Sequence, residues 1–297
     1  MIVRLAAPAM GTRFEIVLDG ADPGALRAAG EEALAEIDDC DRRLSRFRSD
    51  SLLAHLHRAT DWVALDADTF ALFATCAAVH ECSGGAFDPT VAPLMDALGF
   101  FGEGSDLSRA REAVGWGEVE LDADTQSVRL ARPDLRLDLG AIGKGHGLDL
   151  AARVLREAGV TRALLHGGTS TAIVIGAPSG AVGWRVAIGS ETDAPVVTLC
   201  DCALAVSASD GRSSANGAGH VLDPRTATPA TTRRAAVIAD SATLADAWAT
   251  ALLVTGPDRE PRPDVEAIAV GAGATDWQPC GARTTHRFTF LQTRETV

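Results

Sequence analysis

The stretch Leu137-Asp138-Leu139-Gly140-Ala141-Ile142-Gly143-Lys144-Gly145-His146-Gly147 changes character halfway along. Its first half continues an alternation, with Leu135, Leu137 and Leu139 set against Arg136 and Asp138, and this predicts a strand. Its second half loosens through Gly140, Gly143, Gly145 and Gly147, and an amphipathic helical pattern follows at once. A strand, a glycine turn and a helix start in succession present bare N–H groups and the positive end of a helix dipole. Lys144 adds a positive charge in the same place, so an anion, above all a phosphate, is expected there. A plain strand-to-helix turn is the alternative. Two familiar phosphate loops are excluded. The P-loop requires Ser or Thr after its lysine, where Gly145 stands, and the dinucleotide fingerprint requires a third glycine where Leu148 stands.

Working outward, 297 residues give ample length for a core, as one domain over 1–297 or two intimately joined subdomains. At 46% hydrophobic and 23% charged the chain is globular in composition. A formal net charge of −13 argues against a nucleic-acid binder, since phosphate backbones demand a basic surface. One phosphate-bearing ligand in a locally positive pocket remains compatible. Cys200 and Cys202 are one residue apart, while Cys76 and Cys82 fall on a helical pattern, so no zinc pairing is present. Buried thiols in a reducing compartment are expected instead. No apolar run is long enough to span a membrane, and the opening MIVRLAAPAMGTRFEI shows neither a leader nor a lipoprotein cysteine. A soluble, cytoplasmic protein with no membrane anchor is expected.

Two alternating runs flank Pro8-Ala9-Met10-Gly11-Thr12 and predict a pair of strands. After Asp22-Pro23-Gly24, helical spacing carries Leu26, Ala33, Leu34, Ile37, Leu44 and Phe47. Phe47 is expected at the core edge, with an exposed stacking surface as the alternative. A second helix is predicted over 66–82, closed by Gly84 and Gly85. Asp88 before Pro89 is held extended and reads first as a turn or N-cap residue. Residues 105–124 carry little signal beyond a strand pair. Past the opening stretch a helix ends at Gly159, and a strand runs through His166 into Gly167 and Gly168. Short strands follow at 173–175, 184–188, 196–199 and 203–207, with further ones around 265–270 and 287–291.

His220 lies beside a glycine-rich segment and reads either as a general base or as a histidine bonded to a nearby carbonyl. Asp223-Pro224-Arg225 reads as a tight turn with a local ion pair. A last helix is predicted over 241–254 with Ser241 as N-cap. Within it Asp246 and Thr250, four residues apart, share a face. Their oxygens suit Mg²⁺; a helix-surface hydrogen bond is the alternative. Ala242, Ala245 and Ala249 leave a small-residue face where another backbone can approach. Strand clusters with separate helices and no repeat or linker predict an α+β fold.

Six of these segments, in order, resemble the ApbE family, the FAD:protein FMN transferases. They are Met10-Gly11-Thr12, Gly84-Gly85-Ala86-Phe87-Asp88-Pro89, Asp138-Leu139-Gly140-Ala141-Ile142-Gly143-Lys144-Gly145, Gly167-Gly168, His220-Val221-Leu222-Asp223-Pro224-Arg225-Thr226 and Ala245-Asp246-Ala247-Trp248-Ala249-Thr250. The resemblance implies a T-fold-like unit of antiparallel sheets packed with helices. It implies that Met10, Phe47 (usually tyrosine in the family), Ala86, Phe87, Asp88, Asp138, Lys144 and Leu222 contact FAD. It implies that the Ala141 carbonyl, Asp246 and Thr250 hold Mg²⁺, and that His220 assists the chemistry. The implied reaction moves FMN from FAD onto a Ser or Thr hydroxyl of an acceptor flavoprotein and releases AMP. An FAD pyrophosphatase and a non-catalytic FAD-binding protein are the alternatives. Several departures stand out: Ala227 replaces the usual glycine, implying a differently shaped turn, Thr169 and Ser170 follow Gly168, and the chain has no tyrosine.

Overall fold

The computed structural model describes residues 1–101, 104–189, 194–209, 219–271, 273–281 and 288. The strands Ile2–Ala9, Thr12–Asp19, Ala163–Gly167, Thr171–Ile175, Ala203–Ala208, Arg234–Ala239, Glu266–Val270 and Gln278–Pro279 lie side by side in that order. Every neighbouring pair is antiparallel, so the sheet is an open meander in chain order. The long excursions leave and re-enter between adjacent strands. The largest carries helices Pro23–Leu44, Ala67–Ser83 and Gly143–Glu157, and helix Ala242–Thr255 links the strands Arg234–Ala239 and Glu266–Val270.

Period-two alternation divides the core into two layers. Phe14, Ile16, Leu18, Leu165, Ile173 and Val237 face the helices. Val174, Leu204, Ile238 and Ile268 face the opposite way, under a hairpin of Trp184–Ala187 and Val196–Leu199 that adds Trp184, Val197 and Leu199. This is the α+β arrangement that the strand spacing predicts. The helix Ala242–Thr255 is central because its sequence is apolar all round. Asp246 is its one ionisable residue, and its alanines are almost completely buried. Among the described residues no helix is long and apolar enough to cross a membrane.

Local signals place the helix ends well. Asp22 caps Pro23–Leu44 by accepting from the Gly24 and Ala25 amides. Asp66 caps Ala67–Ser83, which stops at Gly84 in the left-handed conformation, and Ser241 accepts from the Leu244 amide. Cys40, Cys76 and Cys280 are buried as expected, whereas Cys82 and Cys200 are exposed.

The opening stretch departs from expectation at both halves. Leu135, Leu137 and Leu139 are buried in alternation, yet residues 135–139 join no sheet. Their amides are taken elsewhere: Leu137 N–H donates to the His57 ring at 2.9 Å and Asp138 N–H to the Pro89 carbonyl at 2.7 Å. The helix begins at Gly143, so three of the glycines lie inside it rather than in a turn before it. Packing explains this. A Cβ on Gly145 would sit 2.2 Å from the Ala242 carbonyl oxygen, and one on Gly147 would sit 3.2 Å from Met10 Cε. The small-residue face of Ala242–Thr255 therefore does receive another backbone, that of the glycine helix. Residues 105–124 hold a short helix, Leu107–Glu112, before the strand Val119–Asp122, which pairs with Ser127–Leu130. The strand expected at 287–291 lies outside the described residues, apart from the buried Phe288.

Gly145→Ala should destabilise the fold by about 1–3 kcal/mol, because the methyl meets a backbone carbonyl that cannot step aside. Gly143→Ala, where a Cβ would meet nothing within 4 Å, should leave stability unchanged or higher. Urea unfolding of the pair checks this; equal behaviour would refute the close-approach account.

Candidate active site

Asp246 lies in the second turn of its helix with only 3% of its surface exposed. A carboxylate this buried on an apolar helix requires partners. Gly145 N–H donates to Oδ2 at 3.1 Å, and the Thr171 hydroxyl donates to Oδ1 at 3.1 Å. The Lys144 ammonium stands 3.3 and 3.5 Å from the two oxygens and 3.5 Å from the Gly140 carbonyl. One turn on, the Thr250 hydroxyl donates to the Asp246 carbonyl at 3.3 Å and lies 3.5 Å from Ser207 Oγ. Lys144 and Asp246, 102 residues apart in sequence, thus meet at the Asp246 carboxylate, and Thr250 follows one turn along the same helix. Ala141 is half-buried in the turn beside the Gly140 carbonyl.

Asp149 fixes the register of this meeting. From the glycine helix it accepts Ser241 Oγ at 2.7 Å, the Ala242 and Thr243 amides at 2.8 Å each, and Thr243 Oγ1 at 2.5 Å. A carboxylate from one helix thereby caps the exposed amides and positive dipole end of the next. With the two N-termini pinned, the Gly145 amide falls opposite Asp246.

The other expected contacts are held in several ways. Met10 is held in a left-handed turn (φ 49°) by its backbone N–H donating to Asp41 Oδ2 at 2.8 Å, and its methyl reaches Gly147. Ala86 and Phe87 are buried. Asp88 accepts from Thr90 N–H at 2.8 Å, Thr90 Oγ1 at 2.6 Å and Trp116 N–H at 3.3 Å, so its carboxylate serves as the N-cap of the short turn Pro89–Val91. Asp138 accepts from Gly140 N–H at 2.8 Å and from Arg46 at 3.0 Å. Phe47 is 71% exposed, which overturns the core-edge expectation and leaves the stacking one. Leu222 is buried in a two-strand hairpin with Thr228–Pro229, and His220 is half-buried two residues before it.

The Asp223-Pro224-Arg225 turn carries its expected ion pair, two-pronged at 2.8 Å on each side. Ala227 takes the left-handed backbone that glycine favours (φ 56°) with its methyl buried, so the turn keeps a glycine-like path despite the substitution. His166 bonds the Gly168 carbonyl at 3.0 Å, as a turn histidine does. Sequence reasoning passed over Thr171, Ser207, Asp149 and Arg46. Hydroxyls at strand ends and charges on amphipathic or polar segments read as solvated groups, and only the fold turns them inward.

The donors at Asp246 and Thr250 fit a hard divalent cation in type. Among the described residues no three His, Cys, Asp or Glu side chains gather into a metal-holding group. A cation there would draw its remaining ligands from hydroxyl and carbonyl oxygens, as Mg²⁺ does. The 3.3 Å ammonium contact is longer than a tight charge-assisted bond of about 2.7–2.9 Å, so Lys144 does not saturate the carboxylate.

The sequence profile of the ApbE family matches residues 10–266. The FAD:protein FMN transferase of Klebsiella pneumoniae (strain 342) is 29% identical over 277 residues, 84% of this chain and 77% of its own length. The ApbE protein of Thermotoga maritima superposes with a TM-score of 0.83 at 26% identity, covering 94% of this chain and 97% of that one. The flavin transferase ApbE of Vibrio cholerae gives a TM-score of 0.81 over 97% of this chain and 99% of that one; at 24% identity this likeness bears on the fold alone.

One pH dependence follows from the opening stretch. His57 accepts the Leu137 amide through Nε2, and burial, reinforced by Arg136, Arg46 and Arg58, pushes its pKa down from 6.5 to about 4. The folded protein therefore binds fewer protons than the unfolded chain between these values. This contribution to stability is complete above pH 6.5 and is lost as pH falls toward 4. His57→Gln, which keeps an acceptor and cannot titrate, should flatten the melting temperature across that window. A variant that falls as steeply as wild type would show that other groups set the slope.

Proposed function

The chain belongs to the ApbE family, and from that premise we propose that it is a Mg²⁺-dependent FAD:protein FMN transferase acting on a Ser or Thr hydroxyl of an acceptor flavoprotein. The observation that carries this reading is Asp246, a nearly buried carboxylate that meets Lys144 and the Gly145 amide at the start of a second helix. A carboxylate, an ammonium and a helix N-terminus brought to one point can hold a pyrophosphate together with a cation. A closed structural ion pair would sit at about 2.7–2.9 Å, whereas the Lys144 ammonium stands back at 3.3 Å.

In this proposal Asp246, Thr250 and the Ala141 carbonyl hold Mg²⁺, which when bound supplies Lewis-acid neutralisation of the pyrophosphate. Lys144 lies beside the phosphate oxygens and offsets their charge. Met10, Phe47, the residues 86–88, Asp138 and Leu222 line the path of FAD, with the inward-turned Asp88 carboxylate shaping the loop that presents Ala86 and Phe87. His220 accepts the proton of the acceptor hydroxyl. The hydroxyl oxygen forms a bond to the FMN-side phosphorus, the bond from that phosphorus to the bridging oxygen breaks, and AMP leaves with its electron pair. In-line alignment and charge neutralisation are what phosphoryl transfer demands.

Incubation with FAD, Mg²⁺ and an acceptor bearing a Ser/Thr flavinylation site should leave flavin fluorescence on the acceptor after denaturation. AMP release without covalent flavin would mean that water replaces the hydroxyl, making the protein an FAD pyrophosphatase. Neither product would leave an FAD-binding protein. Asp246→Ala should lower Mg²⁺-dependent turnover by at least about 100-fold, the upper end of what even outer-shell partners of a metal contribute. Undiminished turnover would remove Asp246 from the metal site.

A further inference from the structure

Arg46 follows the C-cap of helix Pro23–Leu44, and its side chain is only 14% exposed. Its guanidinium donates to Asp96 Oδ1 at 2.6 Å and to Asp138 Oδ2 at 3.0 Å. The same group lies 4.6 Å from the ring centroid of Phe101 and 5.5 Å from that of Phe47. The two rings are 5.2 Å apart and tilted by 60°. One cation thus ties together residues 46–47, 96–101 and 138, and it also backs an aromatic pair. Exposure is graded across the cluster: Asp138 is 16% exposed, Phe101 38% and Phe47 71%.

From this cluster, and resting on the FAD reading above, we infer that Arg46 and Phe101 position the wall on which a planar ring of FAD stacks. Phe47 is an exposed aromatic face that is held from behind, and such a face binds a ring with little ordering cost. The gap between the two phenylalanines is too narrow and too tilted to admit a third ring, so the ligand lies on the outer side of Phe47. The cation–π contacts fix both rings relative to Asp138. Asp138 has one oxygen on the Gly140 amide and the other on Arg46, and it keeps lone pairs for a ring N–H or a hydroxyl. Arg46 also offsets the Asp138 charge, which would otherwise repel the anionic pyrophosphate. Phe101 has no role in the family resemblance, and Arg46 is significant here only through its contacts.

The Arg46–Asp138 pair is mostly buried, so it can add to stability without any bearing on a ligand. A merely structural Arg46 would change melting and leave ligand affinity alone, and binding measurements separate the two cases. Arg46→Met, Arg46→Lys and Phe101→Leu would be titrated with FAD, FMN and ADP by flavin fluorescence and calorimetry, without acceptor, alongside melting curves. Arg46→Met should raise the Kd and KM for FAD by about tenfold, with kcat at saturating FAD within about twofold of wild type; Phe101→Leu should weaken FAD by roughly threefold or more. Arg46→Lys, which keeps the charge and loses the fork, should fall between and carries the test if Arg46→Met melts early. Loss confined to FMN places the flavin on Phe47, and loss confined to ADP places the adenine there; either supports the wall. Unchanged FAD affinity in the variants, or equal weakening of FMN and ADP, overturns it. Wild-type protein that fails to bind FAD overturns the flavin reading and the wall with it.

Discussion

The site depends on how closely two helix N-termini approach. Gly145 lies against the Ala242 carbonyl with no room for a methyl group, and Asp149 closes the contact by taking four donors from the first turn of the facing helix. The glycine helix gives up intrinsic propensity, roughly 1 kcal/mol per glycine relative to alanine. In return two positive helix ends converge on the same few ångströms.

That convergence accounts for Asp246. Its helix is otherwise apolar and lies between the sheet and the glycine helix, a setting in which a carboxylate is costly unless it is paired. Gly145, Thr171 and Lys144 supply the pairing, and the long ammonium distances leave the oxygens able to take a harder cation. The buried charge and the helix contact are one device, because the amide that meets Asp246 belongs to the glycine that permits the approach.

The extended residues 135–139 show how loops finish the arrangement. Their alternation buries three leucines without a neighbouring strand, since a histidine ring and a proline carbonyl take the amides instead. The segment delivers Asp138 to Arg46 and leads the chain into the helix that begins at Gly143. A period-two pattern reports which side chains are buried, and it is silent about what accepts the backbone hydrogen bonds.

Much of this was legible in the chain. The cap at Ser241, the stop at Gly84, the short strands and the shared face of Asp246 and Thr250 follow from local rules of hydrogen bonding and periodicity. The α+β class follows from them too. The Asp223–Arg225 turn needed only neighbouring residues to declare itself. Tertiary structure alone decided that the glycines sit inside a helix, that Asp149 caps another helix, that Thr171 reaches Asp246, and that Arg46 gathers Asp96, Asp138 and two phenylalanines. Apart from Arg46 on its neighbour Phe47, these contacts join residues tens to a hundred positions apart, and their partners are set by helix packing and sheet order. Local propensity fixes where elements begin and end, whereas a site made from the ends of several elements exists only once packing has brought those ends together.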